Sequence, residues 1–260
     1  MVIIITGGTS GIGKETANLL ASKGNIVYSL SRHIKDDENN IHYIKCDVTK
    51  VEDVNNAINC IITKEKQIDC LINNAGIGIS GALEYQSEED INNILEVNLK
   101  GMIRLTQKVI PFLRETKGKI INIGSIAGEL AIPFQTMYSV TKSGVSIFSE
   151  ALYNELKPFK IKVTCVMPGD TKTSFTENRK KEDNNNLYNE RISNSIKRME
   201  NDEKNGVLPI KVAKVICKCI YSKKPPIKVS VGFPYKLFMF LKRLLPNRLI
   251  NYVLYNMYAK

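Results

Sequence analysis

The sequence predicts one α/β domain, a doubly wound, seven-stranded, mostly parallel sheet with a C-terminal helical extension, and three observations carry that expectation. Short apolar runs alternate with amphipathic helical stretches along nearly the whole chain. The first run is Val2-Ile3-Ile4-Ile5, four stiff β-branched residues that suit a strand covered on both faces. Directly behind it, T-G-G-T-S-G-I-G (6–13) turns into a helix whose apolar face carries Ala17, Leu20 and Ala21. A chain of 260 residues can bury one large core, and neither an internal repeat nor a linker divides it.

The glycine turn sets the first functional expectation. Bare backbone leading into a helix N-terminus cradles a pyrophosphate, because N–H groups and the helix dipole both favour negative charge there. Its spacing is T-G-x-x-x-G-x-G rather than the more common G-x-G-x-x-G. Residues 25–30 read as the second strand, and the two residues after it decide which dinucleotide fits. A carboxylate there would accept from a ribose 2′-hydroxyl, but this chain has Ser31-Arg32. At roughly 1.5–3 kcal/mol per charge-assisted bond to a 2′-phosphate, NADP is expected over NAD by roughly 10- to 150-fold. The plainer alternative is an Arg32 that only decorates a strand end.

The later elements follow in order. Residues 41–46 read as a third strand ending in Asp47-Val48, whose carboxylate meets an adenine amino group, caps the next helix, or does both. That helix carries Val54, Ile58, Ile61 and Ile62 on one face; a fourth strand over 68–72 ends in N-N-A-G (73–76). One long helix is expected over 88–116, with Asn98 on its apolar stripe as a buried amide. A fifth strand over 119–124 delivers Ser125, and a helix over 134–159 places Tyr138 and Lys142 four apart on one face. A sixth strand over 161–167 ends in P-G-D-T-K-T (168–173). Residues 174–206 are highly polar, with Ile192, Ile196 and Met199 spaced for one helix: a mobile flap over a cleft, or an ordinary surface loop and helix. A helix over 209–221 and a strand over 227–231 complete the domain, taken as 1–232.

The net charge of +11 belongs wholly to the C-terminal part, since residues 1–203 hold 25 basic and 26 acidic residues and 204–260 hold 12 basic and none acidic. This excess reads either as a patch for an anionic membrane or other polyanion, or as coding bias and solvated faces. Residues 233–260 form two amphipathic stretches broken by Pro246, too short and too charged to span a bilayer. Three readings of them stand open: contact with a membrane surface, a wall or lid for a greasy pocket, and packing on the domain or a subunit interface. No stacking platform or recognition motif accompanies the charge, so nucleic acid is not an expected partner. The six cysteines lack a C-x-x-C pairing and read as reduced core thiols, with no metal expected. The chain starts at its first strand, so no leader segment is expected, and the expected location is the cytoplasm, with peripheral membrane contact on the first of the three readings of 233–260.

Seven features in this order resemble the short-chain dehydrogenase/reductase family: T-G-G-T-S-G-I-G, Asp47-Val48, N-N-A-G, Asn98 in V-N-L-K-G, Ser125, Tyr138-x-x-x-Lys142 and P-G-D-T-K-T. The resemblance covers residues 1–232. It implies a Rossmann-type fold and hydride transfer between a nicotinamide and a carbonyl carbon. Tyr138 would be the acid and, in oxidation, the base, with Lys142 favouring its phenolate and bonding the nicotinamide ribose. Ser125 would polarise the carbonyl, and Asn98 would hold a water linking Lys142 to solvent. Cofactor contacts are implied for Gly7, Thr9, Ser10, Gly11, Ile12 and Gly13, for Ser31, Arg32, Asp47 and Val48, and for Asn74, Ala75 and Gly76. Tyr138, Lys142, Pro168, Gly169, Thr171 and Thr173 complete that set. His33 and His42 are expected to lie far from the catalytic constellation. Pairing into a dimer or tetramer through the helices holding Asn98 and Tyr138 is also implied. The greasy tail suggests a lipophilic ketone or secondary alcohol, such as a hydroxysteroid or keto-lipid. The alternative is a non-catalytic dinucleotide-binding or redox-sensing relative, which would not need Ser125, Tyr138 and Lys142 together.

Overall fold

In the computed structural model, which describes residues 1–182 and 187–260, the strands are β1 (Val2–Thr6), β2 (Ile26–Ser31), β3 (Ile41–Lys45), β4 (Cys70–Asn73), β5 (Ile79–Ser80), β6 (Lys119–Ile123), β7 (Lys162–Pro168), β8 (Lys180–Lys181) and β9 (Lys228–Val231). Seven of them form one sheet in the order β3-β2-β1-β4-β6-β7-β9, and every neighbouring pair is parallel. A parallel sheet needs helices on both faces, which the long crossovers supply: α1 (Gly11–Ala21), α2 (Val51–Glu65), α3 (Glu88–Leu95), α4 (Met102–Thr116), α5 (Thr136–Leu156), α6 (Arg191–Lys204) and α7 (Pro209–Tyr221). The two-residue period of β1 divides the core. Ile4 packs with Val54, Leu105, Val109 and Leu152 of α2, α4 and α5, whereas Ile3 and Ile5 pack with Ala17, Leu20, Val212 and Ile216 of α1 and α7.

The tail folds as α8 (Phe233–Leu244) and α9 (Asn247–Tyr258), with Pro246 between them. Ile250 and Leu254 of α9 are buried with Met102, Ile126, Leu130 and Val145, so this helix belongs to the main body. Among the described residues, no helix is long and apolar enough to cross a membrane.

Four features depart from the sequence reading. The expected helix over 88–116 is interrupted at Glu96–Gly101 by wide π-helical turns. Asn98 is drawn to the neighbouring loop there, and a side chain on Gly101 would meet Val48 at 2.7 Å. Asp47 does not cap α2, which starts after Lys50; its carboxylate instead closes a tight turn, accepting from the Thr49 N–H (3.0 Å) and hydroxyl (2.8 Å). The polar stretch over 174–206 contributes the two-residue strand β8, which pairs with β5 and ties it to the loop after β4. Its polar run over 180–186 falls in part, at 183–186, outside the described residues. Finally, Cys60 is exposed while the other five cysteines are buried; all six are free thiols.

Candidate active site

Strand order reverses between β1 and β4, and the crevice left at their C-terminal ends is where open α/β sheets place ligands. A cleft of about 900 Å³ opens there. Its floor is held by Thr6, whose hydroxyl oxygen accepts from the backbone N–H of Asn74 and Ala75, both at 2.9 Å. The Asn74 amide in turn donates to the carbonyls of Thr6 (2.9 Å) and Gly7 (3.2 Å). The glycine turn and the N-N-A-G loop are therefore one bonded unit.

That unit leaves space only where backbone is bare. A Cβ on Gly13 would lie 2.1 Å from the Gly7 carbonyl oxygen, and Gly7 and Gly11 adopt φ of +67° and +50°. Ser10 caps α1 through no side-chain bond, and the first turn holds no acidic residue. Its leading N–H groups, beside Gly7, Thr9, Gly11 and Ile12, thus face the cleft ready for an anion. Ser31 is 8 % exposed and its hydroxyl has no partner among the described residues, an orphan that a phosphate oxygen would satisfy, with the exposed Arg32 beside it. These observations fit a dinucleotide. Asp47, Val48 and His33 also line the cleft. Bonds from Thr49 outweigh the burial of Asp47 and, with the charge of Arg32, hold its carboxyl below the usual range.

Farther along the cleft lie Ala75, Gly76, Ser125, Tyr138, Lys142, Pro168, Gly169, Thr171 and Thr173. Ser125 follows β6, and its hydroxyl accepts from the Ala127 N–H at 3.1 Å. Burial pushes the Tyr138 phenol up to about 12, against a lowering bond from Ser125 and the charge of Arg179. Lys142 is 6 % exposed and donates to the Ile123 carbonyl at 2.9 Å. Its own pKa is drawn down to about 8, because burial disfavours the charged amine. Lys142 Nζ stands 5.8 Å from the centre of the Tyr138 ring, and the ring of Phe175 lies tilted against it with centres 5.7 Å apart. In the protein alone, desolvation therefore dominates both groups.

Two expected site residues do not line the cleft. Gly13 lies beneath the turn. Asn98 is 2 % exposed; its oxygen accepts from the Ile77 N–H (2.8 Å), and its amide donates to the Ile77 carbonyl (3.0 Å) and Thr141 hydroxyl (3.1 Å). It does approach Lys142, since a Cβ on Gly76 would sit 3.3 Å from Asn98 Oδ1 and 3.6 Å from Lys142 Nζ.

The remaining wall comes from parts that motif reading could not assign. Leu130, Met199, Phe238, Leu254 and Met257 make it apolar, while Asp170, Asp202 and Glu203 add three carboxylates. Tyr235 of α8 lies against Gly169, where a Cβ would come within 2.2 Å of its ring, and its hydroxyl donates to the Asp170 carboxylate. The tail is thus clamped to the P-G-D loop. Burial and the charges of Asp202 and Glu203 raise the pKa of Asp170 against that bond.

A cleft that joins a dinucleotide cradle to a tyrosine–lysine pair defines a class, the dehydrogenases and reductases built on a parallel α/β sheet. This chain belongs to the short-chain dehydrogenase family, whose profile matches residues 1–184, and it is an oxidoreductase. It is 40% identical over 263 residues to the 3-ketodihydrosphingosine reductase of Bacteroides thetaiotaomicron, covering 99% of this chain and 98% of that protein. A short-chain dehydrogenase from Streptomyces avermitilis superposes with a TM-score of 0.83 at 27% identity, over 94% of this chain and 92% of that one. Two further solved structures hold different dinucleotides. The 3-ketoacyl-(acyl-carrier-protein) reductase of Brucella melitensis is complexed with NADH (TM-score 0.74, 25% identity, 89% and 97% covered). ElxO has NADP bound (TM-score 0.75, 27% identity, 91% and 98% covered).

Proposed function

We propose that the protein is an NADP(H)-dependent reductase that interconverts a long-chain ketone and its secondary alcohol. The observation that carries this reading is the composition of the cleft, in which Ser125, Tyr138 and Lys142 share one space with a phosphate-ready end and an apolar wall to which the tail contributes Phe238, Leu254 and Met257. NADP is favoured over NAD by the orphan hydroxyl of Ser31 and the guanidinium of Arg32, with no carboxylate at either position.

A dinucleotide held by the turn at Gly7–Ile12 with Ser31 and Arg32 would supply a hydride for the carbonyl carbon. Ser125 holds the carbonyl oxygen. Tyr138 keeps its proton at neutral pH, because burial holds its pKa high, and donates it to that oxygen as negative charge develops. Lys142, with a pKa near 8, gives up and regains a proton close to neutral pH and so restores Tyr138. A water bridging Asn98 and Lys142, as the family resemblance implies, would connect this pair to solvent; both side chains approach Gly76, where a Cβ would meet Asn98 Oδ1 at 3.3 Å and Lys142 Nζ at 3.6 Å.

The carboxylates refine the substrate class. Glu203 is bonded by Arg179 and Thr176, and Asp202 accepts from Tyr258 with Arg198 3.9 Å away. Asp170 is bonded by Tyr235 but has no cation of its own in contact among the described residues. A cationic amine beside the ketone would relieve this excess of negative charge. Such a group, followed by a long alkyl chain, is present in the keto-sphingoid base for which the Bacteroides relative is named. This favours the keto-lipid over the hydroxysteroid.

NADPH consumption across a panel of long-chain ketones with and without a neighbouring amine, a steroid ketone and a short aldehyde tests the proposal. The long-chain amino ketone is expected to turn over fastest; a short aldehyde used as efficiently would overturn it. The implied dimer or tetramer is supported by α5, on which Val140 and Ile147, seven apart, stay exposed. A monomer by analytical ultracentrifugation would contradict that part.

A further inference from the structure

Helices α8 and α9 each have two apolar faces, and the fold uses only one. On α8 the inner row is Tyr235, Phe238 and Met239, packed on the body, with Lys242 tied to Glu129. The outer row is Phe233, Leu237, Phe240, Leu241 and Leu244, spaced i, i+4, i+7, i+8 and i+11, so it forms one continuous stripe. These residues are all exposed, Phe233 to 80 % and Leu244 to 66 %. On α9, Ile250 and Leu254 point inward while Leu249, Tyr252 and Val253 stay exposed. A surface helix needs one apolar face to fold, so the second calls for an occupant.

The charges around this stripe select that occupant. Lys236, Arg243 and Arg248 are exposed on the same two helices, Lys260 is exposed just beyond the end of α9, and no acidic residue occurs between 204 and 260. A second copy of the chain meeting this face about a two-fold axis would set like charges against each other. An anionic lipid surface instead matches both features, taking the apolar stripe into its interface and the cations onto its headgroups. We propose that α8 and α9 dock the enzyme side-on to an anionic bilayer. The inner residues Tyr235, Phe238 and Leu254 of the same helices wall the cleft, so docking brings the apolar half of the cleft to the lipid surface. That corollary rests on the keto-lipid reading; the docking itself does not.

The test is sedimentation of the full chain with phosphatidylcholine vesicles made with and without phosphatidylglycerol. Removing the tail would be uninformative, because Ile250 and Leu254 are core residues. The chain is expected to sediment with the phosphatidylglycerol vesicles, less so as salt is raised. Arg243→Gln with Arg248→Gln removes two surface cations and should weaken binding about 30-fold. Phe240→Ser with Leu244→Ser should weaken it by at least about 10-fold, with NADPH binding unchanged in both variants. Failure of the full chain to sediment at low salt would overturn the proposal, as would variants that bind vesicles like the parent. Variants that instead split an oligomer into monomers would assign the face to a second copy of the chain. If vesicle binding holds while every ketone fails, the docking stands and the proposed function falls.

Discussion

Replacing Lys142 with methionine should abolish turnover and yet make the protein more stable near neutral pH. The side chain is 6 % exposed, and burial lowers its pKa from 10.5 to about 8. At about 1.4 kcal/mol per unit, holding the amine charged in the folded state costs about 3 kcal/mol. Methionine has a similar length and removes that cost, while the lost bond to the Ile123 carbonyl takes back about 1 kcal/mol. The net gain is about 2 kcal/mol near pH 7. Because the folded pKa lies below the unfolded one, the unfolded chain binds the extra proton between about pH 8 and 10.5, and parent stability rises with pH across that window. The advantage of Lys142→Met should therefore shrink to about zero near pH 10. Urea unfolding of both proteins without cofactor, at the two pH values, reads this out. A variant less stable than the parent near pH 7, or an advantage unchanged with pH, would refute the reasoning.

Two further perturbations separate recognition from architecture. Arg32→Asp should shift the kcat/KM ratio of NADPH to NADH toward NADH by roughly 10- to 150-fold, and an unchanged ratio would remove Arg32 from cofactor choice. Asn98→Ala strips both backbone partners from Ile77 and should cost about 2–3 kcal/mol, lowering the melting temperature by about 4–10 °C. An unaltered melting curve would show that Asn98 does not hold this loop.

The sheet was legible because its strands carry the composition of buried parallel strands, and β1 shows this most plainly with Ile3, Ile4 and Ile5 fully buried. The cradle was legible because bare backbone there is a steric necessity that leaves its mark as glycine. Less could be read where a residue acts through a distant partner. The widened turns at Asn98 depend on Ile77, and the start of α2 depends on how Asp47 bonds Thr49, neither of which is a periodic signal. The two-residue strands β5 and β8 are too short to show a pattern. Tyr235 was assigned to an amphipathic tail, and only the fold shows it lying on Gly169 and bonding Asp170. The acidic side of the cleft, spread over Asp170, Asp202 and Glu203, lies partly within a stretch that sequence alone reads either as a mobile flap over a cleft or as an ordinary surface loop and helix, with no sign of which carboxylates it brings inward.

The central claim is that Tyr138 delivers the proton in an NADPH-dependent reduction. Tyr138→Phe removes one oxygen and leaves the ring against Phe175 and the cradle untouched. Single-turnover NADPH oxidation with a long-chain amino ketone, paired with NADPH binding followed by fluorescence, is the most direct test. The expected result is a rate loss of about 10²- to 10⁴-fold with binding of the dinucleotide retained. Oxidation of NADPH at close to the parent rate would contradict the account.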